Sequence, residues 1–197
     1  MKRIVTGLAL ALLTLPHAAA AKGVTETVPL YGRTLIFTLP ADMQRANDKD
    51  NGTNRLVEYT PRGETVANWT RLVTIQAYRG LGTSPQPTAA IARQAFYPAA
   101  CKVGPIYQDN GEKPLAGGLK RTLVINGCAS LPPGAYPKAL AGAGEQDFIL
   151  IFRDKDTIYT LNYAVRGKPF TGKAPPIALA SAEALLKDMF GEIRLEP

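Results

Sequence analysis

Residues 146–166 read QDFILIFRDKDTIYTLNYAVR, two β-rich runs around a short polar link. The first, Gln146–Arg153, carries the unbroken apolar stretch FILIF. The second, Thr157–Arg166, alternates: Tyr159, Leu161, Tyr163 and Val165 share one face, while Thr160 and Asn162 lie on the other. Apolar residues at successive positions suit a strand covered on both faces, whereas clean alternation suits one with a distinct core side. Joined by Asp154-Lys155-Asp156, the two runs predict the centre of a sheet.

Outward from this centre, most of the chain reads as strands closed by turns. Val24–Leu30 and Thr34–Leu39 form a hairpin over a three-residue link, Tyr31-Gly32-Arg33, and Pro40 stops the second strand. Arg55–Thr60 is a strand ending at the turn Pro61-Arg62-Gly63. Asn68–Arg79 is a longer strand, with Trp69, Val73, Ile75 and Ala77 on one face and Leu72, Thr74, Gln76 and Tyr78 on the other. A further strand spans Leu119–Asn126 after a loose segment, Gly111–Gly118. The Pro, Gly and Ala-rich stretch Leu131–Gly144 and the segment Gly167–Pro176 read as loops.

Two helices interrupt the strands. Pro85 and Pro87 precede Thr88–Tyr97, whose stripe is Ile91, Ala92, Ala95 and Phe96, and Pro98 ends it. The closing helix, Ile177–Phe190, turns Ala182, Leu185, Leu186, Met189 and Phe190 inward, pairs Glu183 with Lys187, and is capped by Gly191. Runs of strands with two helices point to a single α+β domain, an antiparallel sheet packed by helices, rather than a doubly wound fold.

The chain has 197 residues and a formal charge of +7. Lys2 and Arg3, an apolar run from Ile4 to Leu15, Pro16, and the small residues Ala19 and Ala21 make residues 1–21 a secretory signal peptide. The run is too short for a membrane span of about 20 residues. Residues 22–197 are therefore expected as one exported domain, periplasmic or secreted, with no transmembrane segment. No stretch clusters basic residues with aromatics, which argues against nucleic acid as a partner. Cys101 and Cys128, carried into an oxidising compartment, are expected to form a structural disulfide; a redox pair would call for closer Cys-x-x-Cys spacing.

The only histidine, His17, leaves with the leader, so the mature chain holds no Ser-His-Asp or Cys-His nucleophile, no His base and no His-containing zinc site. Ser84, Ser130 and Ser181 have no lysine at Ser-x-x-Lys spacing. Carboxylate-pair chemistry stays open, with Glu58, Glu64, Asp109 and Glu145 as candidates beside turns or at strand ends. Asp42, Asp48 and Asp50 fall in or beside the polar run MQRANDKDNGTN, residues 43–54, which lacks the EF-hand pattern and reads as a solvated loop. No catalytic, cofactor or metal motif results.

The order of elements resembles the PsbP-like α/β/α sandwich proteins. In that group an early hairpin ends in a Leu-Pro segment, here Leu39-Pro40-Ala41-Asp42-Met43, and a last helix, here Ala180–Phe190, packs across the sheet. Residues 59–70 are also similar to a Tyr-x-Pro-x-Gly-Glu followed by Asn-Trp-Thr of uncharacterised exported bacterial proteins. The resemblance implies a non-catalytic accessory or binding role in an exported assembly; the export signal, the disulfide-compatible cysteines and the lack of catalytic side chains point to contacts with a protein partner in the envelope and to no cofactor. The alternatives are a carboxylate-dependent hydrolase of an envelope polymer, and an inhibitor or immunity protein. Trp69 reads most simply as a core residue. Its functional reading makes Glu64, Asn68 and Trp69 one rim of a pocket, with Glu64 available to a ligand or to the indole N–H.

Overall fold

The computed structural model describes residues 23–96, 101–132, 142–170 and 176–197. The central hairpin forms as read: β9 (Gly144–Arg153) pairs antiparallel with β10 (Thr157–Gly167), and both strands are buried on both faces along most of their length. Asp154 closes the link by accepting the backbone N–H groups of Asp156 and Thr157 at 2.9 and 2.8 Å. The sheet grows from this pair in both directions. On one side β10 meets β5 (Arg71–Arg79), then β4 (Asn54–Pro61) and β3 (Met43–Asp50); on the other, β9 meets β8 (Lys120–Ser130), which pairs with β6 (Val103–Asp109) and the short β7 (Lys113–Pro114). A second sheet joins β1 (Val24–Leu30), β2 (Arg33–Leu39) and β11 (Arg194–Glu196). All the pairings are antiparallel. With helices α1 (Thr88–Phe96) and α2 (Leu179–Phe190), the described residues form an α+β fold.

The two faces of the main sheet are covered differently. One lies under the small sheet and α2. There Val57, Tyr59, Val73, Ile75, Leu123, Ile125, Phe148 and Leu161 meet Leu30, Leu35, Phe37, Ala182, Leu186 and Phe190 in one apolar cluster. Phe190 stands edge-to-face with Phe37 and Tyr163, ring centroids 6.1 and 5.4 Å apart, a geometry that adds to the gain from area burial alone. The other face has a smaller apolar cluster, in which Ala92 of α1 rests on Val124, Ile149, Ile151 and Ile158. Gly191 at positive φ ends α2 by donating its N–H to the Lys187 carbonyl at 2.8 Å.

Several expectations are corrected. The run 43–54 is not a solvated loop: residues 43–50 form edge strand β3, stabilised by its ladder to β4 and by Arg45 and Arg55 bonded to Asp48. The first hairpin turns through two residues, Tyr31 and Gly32, both at positive φ. Tyr31 tolerates that backbone because its hydroxyl donates to Asp50 at 2.8 Å and Arg79 covers its ring. β6 and β11 lie where no strand was read. Glu183 turns from Lys187 to Arg121 and Lys113, at 3.6 and 3.5 Å. The segment expected as a leader, residues 1–21, most of the 131–144 loop and residues 171–175 lie outside the described residues.

Candidate functional site

Polar side chains interrupt the face of the main sheet that carries α1. Strand register explains how they meet. On β9, Glu145 and Asp147 point to this face two residues apart; Cys128 and Arg166 flank Glu145, and Asn126 and Ala164 flank Asp147. Asn162 sits diagonally from Asp147 on β10. Asp147 and Asn126 are each 8% exposed and Arg166 7%, so three polar side chains are buried within a few ångströms of strand spacing.

Two connected groups result. Arg166 donates from Nε to Glu145 Oε2 at 2.5 Å, with side chains 2% and 13% exposed, and its guanidinium lies 3.4 Å from the centroid of the Trp69 ring. Arginine's planar, weakly hydrated cation suits this double use, pairing with a carboxylate at its edge and an indole on its face. Beside it, Asn162 donates from Nδ2 to Asp147 Oδ1 at 3.3 Å. Burial, reinforced by the negative charge of Glu145, pushes the Asp147 carboxyl up to about 8, against the opposing influence of Asn162 and Arg166. Around neutral pH Asp147 therefore holds its proton, while its Oδ1 accepts from Asn162. Asn162 Oδ1 is buried without a donor among the described residues. Turning that carboxamide over would let it accept the Asp147 proton.

The two carboxyl groups are held differently: Glu145 is paired with a cation, and Asp147 keeps its proton. Separated roles of this kind underlie acid–base catalysis. Here, however, the ionised member is occupied by Arg166, so its charge is spent within the fold. The other carboxylate candidates are also engaged. Glu58 accepts from Asn47 Nδ2 at 2.6 Å, and Asp109 accepts the Gly111 N–H at 3.0 Å.

Of the rim residues read from sequence, Trp69 is brought to this centre and the other two are not. β5 starts at Arg71, so Trp69 lies ahead of the strand in the β4–β5 loop. It is 6% exposed yet belongs to neither apolar cluster, because Arg166 rather than an aliphatic layer covers its ring. Glu64 accepts the Thr70 N–H and hydroxyl at 2.6 and 2.8 Å, which closes the loop. Asn68 is exposed and exchanges backbone hydrogen bonds with Thr65 at 3.1 and 3.0 Å. Asp147, Asn126, Asn162 and Arg166 were not singled out from sequence. The available signal was a polar residue at an inward position of a strand otherwise read as apolar, which is more informative than an exposed apolar one.

Cys101 and Cys128 form the disulfide, with Cα atoms 5.6 Å apart. Cys128 lies opposite Glu145, so the cross-link fixes the chain after α1 to the strand beside the polar centre. Among the described residues no cluster of His, Cys, Asp and Glu suits a metal ion, and no helix is long and apolar enough to cross a membrane. No protein-family model matches the chain, and no curated protein matches it.

Proposed function

We propose that this is an exported, non-catalytic accessory or binding protein of the cell envelope that acts through contact with a protein partner. The observation that carries the reading is the contrast across β4 and β5. Their inward side chains Val57, Tyr59, Val73, Ile75 and Ala77 are at most 1% exposed, while Leu56, Glu58, Leu72, Thr74 and Gln76 on the α1 side stay half-exposed. This wing offers two leucines, the neutral hydrogen-bonding groups of Thr74 and Gln76, and the carboxylate of Glu58, which accepts from Asn47, next to the buried polar centre. Interfaces combine apolar area with a polar surround in this way. The accessory role implied by the resemblance to PsbP-like proteins agrees with it.

The test places a photo-reactive benzophenone amino acid at position 74 of the exported protein and, as a control, at position 25 on the small sheet. A discrete protein adduct from position 74 alone is expected. Absence of any adduct, or equal adducts from both positions, overturns the proposal. The buried Asp147 favours a second reading, the carboxylate-dependent hydrolase. Under that reading Asp147→Asn abolishes cleavage of an envelope polymer while the fold persists; under ours the same variant keeps the position-74 adduct.

A further inference from the structure

A slot of about 120 Å³ opens where α1 meets the sheet, beside the half-exposed wing. Tyr78, Leu81, Ile91, Ala95, Ile151 and Ile158 form most of its wall, and among the described residues no charged one lines it. Engineered apolar cavities of roughly 150 Å³ take a benzene ring. This slot matches one leucine or phenyl side chain, and it falls well below the range of about 300–1,000 Å³ usual for free small-molecule ligands.

The mouth of the slot is held open by a costly device. Leu81, 45% exposed, forms one lip in the segment that precedes α1. Arg153, 7% exposed, donates to the carbonyls of Gly82 at 3.2 and 2.9 Å, of Gln86 at 2.7 Å, and of Ser84. Among the described residues no carboxylate pairs with Arg153, so a buried cation is satisfied by backbone alone, an arrangement that is expensive to bury. Gly82 is seated so closely on the link between β9 and β10 that a Cβ there would lie 2.3 Å from the Asp156 carbonyl carbon. The backbone N–H groups of Gly80 and Gly82 both donate to the Asp156 carbonyl at 2.8 Å. The lip is thus rigid before anything binds, which removes an ordering cost from association. Tyr78 also lines the slot, and burial raises its hydroxyl pKa.

We propose that this slot is an anchor pocket for one apolar side chain of leucine or phenylalanine size presented by a protein partner. The inference rests on the protein-contact reading above. Interfaces draw much of their affinity from single large side chains seated in preformed pockets. The larger cleft of about 660 Å³ between α2 and β8–β9 suits this role less, because its rim carries Arg121 already paired with Glu183 at 3.6 Å.

The test uses the full exported chain with isotope-labelled isoleucine methyls and toluene as a stand-in for a phenylalanine side chain. Saturable shifts at Ile91, Ile151 and Ile158 are expected. Ala95→Phe, which plugs the mouth from an exposed position, and Leu81→Asp, which charges it, each weaken them by about tenfold or more. Non-saturating shifts, or equal binding in both variants, overturn the proposal. In the envelope, the position-74 adduct should be lost with Ala95→Phe. An adduct that survives the plug rejects the anchor and leaves the partner reading intact, whereas an adduct missing from the unplugged protein rejects that reading itself. An adduct consisting of a second copy of this chain also rejects the proposed partner.

Discussion

The two faces of the main sheet are made from the same strands and do different work. Under the small sheet and α2, side chains from five consecutive strands are almost entirely apolar, and the rings of Phe37, Tyr59, Tyr163 and Phe190 meet edge-to-face. Under α1, the same strands present Asn126, Asp147, Asn162 and Arg166 among a handful of aliphatic residues. Burying these polar groups costs free energy unless each is partnered. Stability therefore comes mainly from the first face, and the second is where the fold can accommodate chemistry at a stability cost.

The sharpest way to break this comparison is to damage the apolar face. Phe190→Ala removes a fully buried ring from between Phe37 and Tyr163 and should destabilise by about 3–5 kcal/mol in urea denaturation. A loss under about 1 kcal/mol would show that the face is not the main source of stability. Replacing both cysteines by alanine should remove about 3–4 kcal/mol, since the cross-link closes a loop of sequence separation 27. A smaller effect, about 3 kcal/mol, is expected for Arg166→Met, which leaves Glu145 without its cation and removes the guanidinium from the Trp69 ring. Because Trp69 is the only tryptophan, its fluorescence reports that change directly, and the added replacement Glu145→Gln should restore much of the lost stability. The smallest effect, about 1 kcal/mol, belongs to Glu64→Ala, which opens the β4–β5 loop by removing the acceptor for Thr70. An effect as large as that of Arg166→Met would mean that the loop, rather than the cation, positions Trp69.

The same contrast explains what could be read from the chain. The β9–β10 hairpin was legible because an uninterrupted apolar run and an alternating run both follow from local burial. β3 was not: beyond Met43 the run to Asp50 is almost wholly polar, and it forms an edge strand through its ladder to β4 and the ion pairs Arg45–Glu26 and Arg55–Asp48, which reach outside the strand and which no local pattern encodes. β6 hides behind Pro105, and β11 has only three residues, paired to β2 from the far end of the chain. Trp69 was read correctly as buried and wrongly as part of a strand, since β5 begins two residues later. Its partner Arg166 lies about a hundred residues away in sequence and reaches it only through the pairing of β10 with β5. The polar centre depends on register across β8, β9 and β10, so its members read singly as ordinary strand residues.

The most direct test of this account is the pH dependence of Asp147. In the unfolded chain that carboxyl titrates in the ordinary aspartate range, while in the fold it keeps its proton up to about 8. Between those limits the folded state binds the extra proton, so its stability is full at low pH and falls as pH rises through the folded pKa. Urea denaturation of the wild type and of Asp147→Asn should diverge between about pH 5 and about pH 8.5, the wild type losing roughly 2–4 kcal/mol relative to the variant. Curves that fall in parallel would contradict a buried neutral carboxyl on the α1 face, and with it the division of labour between the two faces.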